Sequence, residues 1–359
     1  MENSRWKDTT PMWQIEEGNR KPYPRPEKSS LNVLLTGATG VVGRALLPYL
    51  DTHDVTCLVH VTALNAPGVK TVCGDIRQPC LGLSRRECEE LSATIDVVVH
   101  AAADTSFDGK SDLVETNVAG TERIVELARQ AEARLVYISS AFSAVGAGGQ
   151  SAAPAYARSK AQAEEVVRAS GLSAVVVRPS VIVGDSRTGH IAKHQGFHHL
   201  LGAMMRGQLP LVPLDPTRLL DFVPQDVVAK CIAELLENEF ERTEVWLTAG
   251  SRALQVGHIA DEIQAAAAAL GRPVPATRFV DEDLYERLIV PVFLKAVPAP
   301  TRRMIKTFAE QLSPYVADRG PFPSDVEELP DQVKTLRASM YRWADVSGFH
   351  PRNAAGAAR

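Results

Sequence analysis

Several features that mark other classes of protein are missing from the 359 residues of this chain. No run of about 18 apolar residues occurs, which argues against a membrane span. The nearest run, LIVPVFLKAV at 288–297, is interrupted by Pro291 and Lys295. The first residues, MENSRWKDTTPMWQIEEGNRK, lack the apolar core of a secretory signal. A formal net charge of −4 leaves no basic excess, so nucleic acid is not expected as a partner.

Cysteine is also scarce, with five residues in the whole chain. Their number is odd, and their positions show no paired metal-ligand spacing. Reduced thiols are the simplest interpretation, and we expect a cytoplasmic protein. The apolar share of 45% and the charged share of 23% are those of an ordinary globular protein with ample core.

Short apolar runs alternate with helical stretches from residue 31 onward. The runs LNVLLTG, DVTCLVHV, TIDVVVHAAA, ARLVYISSAF and SAVVVRPSVIVG have the length of strands and are rich in Val and Ile. Such strands, separated by helices, predict a parallel sheet buried on both faces. We therefore expect an α/β fold of the doubly wound, Rossmann type.

This alternation of predicted strands and helices ends after Gly184, where proline, histidine and irregular stretches become more frequent. The segment LLDFVPQDVVAKCIAELLENEF at 219–240 resembles a helix that returns to the first domain. The predicted organisation is an N-terminal arm at 1–30, a dinucleotide-binding domain at 31–185 to which 219–250 return, and a smaller C-terminal substrate-binding lobe formed by 186–218 and 251–359.

A glycine-rich turn, LLTGATGVVG, joins the first predicted strand to the first helix. Glycine is needed at such a junction because the turn is tight and the backbone must approach a pyrophosphate. The alternative is a strand-to-helix turn that is merely closely packed. The position between a strand and a helix favours dinucleotide binding by Gly37, Thr39, Gly40, Val41, Val42 and Gly43.

The second strand, DVTCLVHV, ends without the Asp or Glu that would bond the ribose 2′-hydroxyl of NAD. His60 stands near that position instead, and it could help to bind a 2′-phosphate. On this charge argument NADP is favoured over NAD as the cofactor. Asp75 and Ile76, at the end of a third strand, are predicted to lie at the edge of the adenine, although Asp75 could also be a turn cap.

Tyr156 and Lys160 are four residues apart in APAYARSKAQAEEVV, so both can face one site on a helix. A lysine ammonium favours a nearby phenolate and lowers the pKa of the tyrosine. Ser140 ends a strand in VYISSAF and could hold a substrate carbonyl, with Ser139 and Ser143 in reserve. Asn117 could hold a water or a backbone group that relays a proton to Lys160. These residues predict an acid/base site for a carbonyl.

The order TGATGVVG, GDI, HAAA, NVAGT, ISSAF, YARSK and VRPS resembles the extended short-chain dehydrogenase/reductase superfamily over roughly residues 31–250. The resemblance implies that Tyr156 is the general acid/base, that Lys160 lowers its pKa and holds the nicotinamide ribose, that Ser140 orients the carbonyl and that Asn117 completes a proton relay. Further cofactor contacts are implied for Ala101, Ala102, Ala103, Pro179, Ser180 and Val181.

GDIRQPCLGLSRRECEELSATIDVVVHAAAD and RPSVIVGDSRTGHI are similar to the thioester reductase and fatty acyl-CoA reductase branch. That likeness implies reduction by NADPH of an acyl thioester, carried by CoA or by a carrier protein met in trans, to an aldehyde or an alcohol. The alternatives are a ketone or aldehyde reductase or alcohol dehydrogenase, a cofactor sensor without turnover, and a nucleotide-sugar epimerase.

His190, His194 and His198 are spaced four apart and would share one face of a helix. No carboxylate or HExxH pattern accompanies them, so no metal site is predicted. A polar face over the substrate entrance and a solvated helix face remain the two interpretations. A homodimer is compatible with the sequence. Candidate substrate contacts are Phe142, Ser143, Gln195 and His198.

Overall fold

The computed structural model describes residues 30–106, 112–146, 154–293 and 320–349, together with a few isolated positions between 298 and 316. Apart from Ser30, the predicted N-terminal arm lies outside these residues. The strands in chain order are β1 (Asn32–Thr36), β2 (Asp54–Val59), β3 (Lys70–Cys73), β4 (Val97–His100), β5 (Arg134–Ile138), β6 (Ala174–Pro179), β7 (Val181–Val183), β8 (Leu211–Pro213), β9 (Leu219–Leu220), β10 (Phe222–Pro224), β11 (Glu244–Leu247), β12 (Leu254–Gln255) and β13 (Arg278–Val280).

The α-helices alternate with these strands through the first half of the chain and dominate the second half. A π-helical turn at Glu115–Ala119 leads into α3, and another follows α9 at Tyr285–Phe293. The helices in chain order are α1 (Val41–Leu46), α2 (Arg85–Ser92), α3 (Gly120–Gln130), α4 (Ser143–Gly146), α5 (Ala155–Ala169), α6 (Gly196–Met205), α7 (Gln225–Glu237), α8 (Val256–Ala269), α9 (Glu282–Leu284) and α10 (Gln332–Val346).

Seven strands form one parallel sheet in the order β11-β6-β5-β4-β1-β2-β3. The strand order reverses between β1 and β4, and open sheets of this type bind ligands outside the carboxyl ends of their strands at such a point. The predicted doubly wound sheet is therefore confirmed.

The apolar runs are continuous because the sheet is buried on both faces. In β1, Val33 and Leu35 pack into the core on one face, with α1 and α7, while Leu34 packs into the core on the other face, with α3 and α5. Val97, Val98 and Val99 of β4 alternate in the same way. A central parallel strand thus needs an apolar side chain at every position.

Two predicted elements differ in the structure. The run at 173–184 forms two strands, since β6 ends at Pro179 and β7 leaves the main sheet to pair with β10. The segment 219–240 is not one helix, because β9 and β10 come first and α7 begins only at Gln225. Pro224 explains this start, since it holds the preceding residue extended and suits a helix N-terminus.

The predicted helical face of His190, His194 and His198 is wrong. Helix α6 begins at Gly196, after Gln195 in an extended conformation, so the first two histidines precede the helix. Gly189, with φ +65°, forms part of the turn that separates them from β7.

Helices α6, α8 and α10 pack around a separate apolar cluster that includes Leu201, Met205, Ile263 and Met340. By contrast, α7 packs against α1, and β11 extends the main sheet beside β6. Within the part of the chain that the structure describes, no helix has the length and apolar character needed to cross a membrane.

Candidate active site

The glycine turn after β1 lies against the end of β4. Gly37 has φ +74°, and a Cβ atom there would lie 2.5 Å from the backbone of Ala101 and Ala102. A Cβ atom on Gly43 would lie 2.4 Å from the Gly37 carbonyl oxygen. Contacts this short exclude any side chain, so the first and third glycines are required by the approach of turn, helix and strand. This cradle of bare backbone suits a pyrophosphate.

A cavity of about 1140 Å³ extends from this turn across the carboxyl ends of the strands. Ligand cavities commonly have volumes of about 300–1000 Å³, so this one is large. Gly43 packs beneath the turn, whereas the other predicted cofactor residues line the cavity together with Phe142 and Gln195. These residues are Gly37, Thr39, Gly40, Val41, Val42, His60, Asp75, Ile76, Ala101, Ala102, Ala103, Tyr156, Lys160, Pro179, Ser180 and Val181.

Two arginines that sequence reasoning missed also line the glycine end of the cavity. Arg77 pairs with Asp75 through Nε–Oδ1 and Nη2–Oδ2 distances of 3.0 and 2.7 Å. His60 Nε2 is 3.5 Å from Asp75 Oδ2. The Arg77 hydrogen bond holds the pKa of Asp75 at about 2. Arg44 donates from Nε to the Thr39 carbonyl at 3.3 Å. Its position directly after the third glycine could have identified it from the sequence as a candidate cofactor contact.

Tyr156 is the second residue of α5, after the Pro154 cap and Ala155, and its hydroxyl is hydrogen-bonded with Ser140. Burial raises the pKa of Tyr156 to about 12, and the Ser140 hydrogen bond offsets only part of that rise. The predicted lowering of this pKa by Lys160 is therefore outweighed by desolvation. A tyrosine in this state is a neutral phenol at neutral pH, the form that can donate a proton to a carbonyl oxygen.

Lys160 is 2% exposed. Its Nζ donates to the Ile138 carbonyl at 2.7 Å and lies 4.4 Å from the centre of the Tyr137 ring. Burial lowers the pKa of Lys160 to about 7, while the negative charge of Glu164 acts in the opposite direction. The lysine is thus held in place by β5, the strand that ends at the serines.

Asn117 is buried in the π-helical turn before α3. Its Oδ1 accepts from the Asp104 backbone N–H at 2.8 Å. Its Nδ2 donates to the Asp104 carbonyl and to Ser159 Oγ, both at 3.0 Å. The amide therefore joins the loop after β4 to helix α5, and its role as a relay stays a prediction.

Glu164 is a buried hub that sequence reasoning missed, although its place four residues after Lys160 put it on the same helix face. Its Oε1 accepts from Ser139 Oγ and Ser143 Oγ at 2.5 Å each. Arg178 donates to both carboxylate oxygens, at 3.0 and 2.7 Å. The two reserve serines are thus engaged with the carboxylate, and Ser140 is the one beside Tyr156.

The histidines around the start of α6 separate into two environments. His194 and His199 line the cavity, as does Lys193. His198 is buried and is not among the described residues that line it, since its ring stacks on His194 at a centroid distance of 5.2 Å. A direct substrate contact from His198 is therefore not supported. Among the described residues, no three His, Cys, Asp or Glu side chains form a group that could hold a metal.

The sheet, the glycine cradle and the Ser140–Tyr156–Lys160 cluster define an NAD(P)-dependent oxidoreductase of the extended short-chain type. The chain belongs to the NAD dependent epimerase/dehydratase family, whose model matches residues 33–274. The sequence resemblance to the extended short-chain superfamily is thereby confirmed.

Known proteins similar to this chain include reductase domains of biosynthetic synthetases. A linear gramicidin synthase from Brevibacillus parabrevis is 29% identical over 264 residues, which cover 61% of this chain and 5% of that protein. The chain thus spans a small part of the curated relatives that it matches. The terminal R domain from the myxalamid PKS-NRPS biosynthetic pathway has a TM-score of 0.70 at 24% identity, with 90% of this chain and 93% of that chain covered. The R domain of a nonribosomal peptide synthetase from Mycobacterium tuberculosis has a TM-score of 0.67 at 19% identity, with 91% and 94% covered.

Replacement of Ser140 by Ala is expected to lower kcat/KM about 10²–10³-fold with any carbonyl substrate, because one donor to the developing oxyanion is lost. Ser139→Ala is the matched control, since this neighbouring buried hydroxyl donates to Glu164 instead; we expect a loss of less than about tenfold. Steady-state kinetics of the two variants decide the point, and equal losses would contradict the assignment of Ser140.

Proposed function

We propose that this chain is a thioester reductase that uses NADPH to reduce an acyl thioester, carried by CoA or by a carrier protein in trans, to the aldehyde. The observation that carries the proposal is the hydrogen-bonded Ser140–Tyr156 pair beside buried Lys160, within a cavity that continues beyond them into the cluster of α6, α8 and α10. The likeness to R domains of synthetases supports a thioester over a simple ketone. In this proposal, residues 186–218 and 251–359 form the substrate-binding lobe.

The residues of the chain supply binding and proton transfer. When bound along the glycine cradle, Ala101–Ala103 and Pro179–Val181, the nicotinamide cofactor supplies a hydride to the acyl carbon. Ser140 donates a hydrogen bond to the acyl oxygen, and Tyr156 gives its proton to that oxygen as the carbonyl bond is reduced. Tyr156 then recovers the proton as the C–S bond breaks, which yields an aldehyde, and the departing thiolate takes up a proton.

NADPH consumption by the purified protein tests this function. We expect turnover with acyl-CoA or carrier-bound thioesters, accompanied by one free thiol per NADPH oxidised. Tyr156→Phe should lose activity about 10²–10⁴-fold, because the general acid is absent, while it still binds NADPH. Turnover confined to ketones, aldehydes or alcohols would replace the proposal by the carbonyl reductase alternative, and conversion of nucleotide sugars without net NADPH oxidation would replace it by epimerase chemistry.

The preference for NADPH over NADH is proposed because of the charged side chains at the glycine end of the cavity. Arg44, His60 and Arg77 line the glycine end of the cavity, and Arg77 neutralises Asp75, a carboxylate two residues after the end of β3. With Asp75 neutralised, the Arg44 guanidinium and the His60 ring at this end favour a 2′-phosphate over a ribose hydroxyl.

Arg44→Ala should raise KM for NADPH about tenfold or more, because a charge-assisted hydrogen bond to phosphate is lost, and should change KM for NADH little. Arg86→Ala is the matched control, since this exposed arginine of α2 pairs only with Glu90 in the described contacts. Separate titrations with the two cofactors make the comparison. Wild-type protein that prefers NADH would refute the preference.

A further inference from the structure

The large cavity does not end at Tyr156. It continues between helices α6 and α8 and the strand β8, where its lining enters the apolar cluster of the second half of the chain. We define this part as the apolar arm, lined by Leu201, Met204, Val212, Leu214, Ile259 and Ile263. All six side chains are buried, so the arm is an internal cleft.

Among the described residues that line the arm, polar side chains occur only at its opening. Lys193, His194 and Gln195 precede α6, and His199 lies in its first turn; all four are exposed or half-buried. Beyond that turn, every described side chain that lines the cavity from α6, α8, β8, β9 and β13 is apolar. The described lining therefore offers a buried polar ligand atom no side-chain hydrogen bond.

Two physical consequences follow for an acyl group in the arm. Each methylene buried there strengthens binding about threefold to fourfold. An amide group buried without a partner weakens binding by a factor on the order of ten or more, because its N–H and C=O lose their bonds to water. Both effects therefore make a hydrocarbon chain bind more tightly in the arm than a peptidyl chain of equal length.

We propose that the apolar arm binds the hydrocarbon chain of an acyl thioester and discriminates against peptidyl acyl groups. This inference rests on the proposed thioester reduction, whose reacting carbonyl would lie at Ser140 and Tyr156. The polar opening, with Lys193 and two histidines, would face the phosphate-bearing pantetheine side of the thioester.

A panel of pantetheine thioesters tests the arm with wild-type protein. The acyl groups are butyryl, octanoyl and N-pentanoylglycyl, the last being an eight-atom isostere of octanoyl with one amide in the chain. We expect kcat/KM for octanoyl to exceed that for butyryl on the order of a hundredfold, since four more methylenes are buried. It should exceed that for N-pentanoylglycyl at least tenfold.

Ile263→Phe reduces the space in the arm, so octanoyl turnover should fall at least tenfold while butyryl turnover, the internal control, stays within threefold. Equal turnover of the three thioesters by wild type would overturn the inference and leave thioester reduction standing. If none is reduced, the proposed function fails. Calorimetric binding of octanoyl- and butyryl-pantetheine then decides the arm alone, and equal affinities would overturn it.

A second inference concerns Glu164, which joins parts of the site that come from different elements. Ser139 and Ser143 flank Ser140 on both sides, and both donate to Glu164. Glu164 is on α5, one turn after Lys160 and two turns after Tyr156. Arg178 on β6 fixes the carboxylate from the opposite side and stacks on Trp246 of β11.

The geometry points to Glu164 as a positioning residue that holds the Ser140 turn against the Tyr156–Lys160 helix. Its carboxylate also places negative charge near Lys160, which opposes the lowering of the lysine pKa by burial. Loss of this charge would favour the neutral amine, because burial already opposes the ammonium. The groups that face Lys160 or Glu164 are Tyr156 and Arg168 on α5, Tyr137 on β5, His100 on β4, Arg178 on β6 and, through Arg178, Glu244 on β11.

In Glu164→Gln we expect kcat at neutral pH to fall at least tenfold and the basic limb of the kcat profile to move about one pH unit lower. Glu244→Gln is the matched control, since it removes the outer carboxylate bound to Arg178 and should leave the profile in place. An unchanged limb in folded Glu164→Gln would overturn the inference.

If Glu164→Gln does not fold, the double variant Ser139→Ala/Ser143→Ala provides the second measurement. It removes both tethers of the Ser140 turn and retains the Glu164–Arg178 pair. We expect kcat at least tenfold below wild type with the basic limb unmoved. Activity within twofold of wild type would overturn the positioning role.

Discussion

Burial of the Lys160 amine is the constraint on which the arrangement of this site depends. An isolated ammonium group removed from water is costly, so it must find partners or lose its proton. Here the Ile138 carbonyl accepts its hydrogen bond, the face of the Tyr137 ring lies 4.4 Å away, and Glu164 contributes negative charge. These partners come from β5 and α5, so the lysine also fixes how the helix that carries Tyr156 lies on the strand that leads into Ser140.

A second buried polar network supports the platform beneath this lysine. Thr36 Oγ1 lies 2.7 Å from His100 Nδ1, and His100 Nε2 lies 3.2 Å from Thr121 Oγ1. The chain of contacts joins β1, β4 and α3 below the ring of Tyr137. Burial, and then the nearby charge of Lys160, lower the pKa of His100 to about 3. The histidine therefore stays neutral at physiological pH, and no second positive charge competes with the ammonium.

Periodicity and local chemistry explain which features could be predicted from the sequence. A strand buried on both faces must be apolar at every position, so β1 and β4 are visible as runs, and Gly37 is visible because the turn admits no side chain. Contacts between distant residues leave no such pattern. The pairing of Arg178 with Glu164, the departure of β7 toward β10 and the separation of His198 from the cavity all depend on tertiary packing. Pro224 itself indicates the change from strand to helix, but the continuous apolar character of 219–240 suggested a single helix.

Burial acts in opposite directions on the two ionisable groups of the site, and this has a chemical consequence. It raises the pKa of Tyr156 to about 12 and lowers that of Lys160 to about 7, because each shift favours the neutral form. A phenol that keeps its proton is prepared to donate one, as the reduction of a carbonyl requires, and is poorly prepared to accept one from an alcohol. A lysine that titrates near neutrality can exchange a proton with its surroundings at little cost in free energy. In the proposed reaction, neutral Tyr156 therefore supplies the proton that the reduced acyl oxygen needs, and the basic phenolate left behind can take that proton back as the C–S bond breaks.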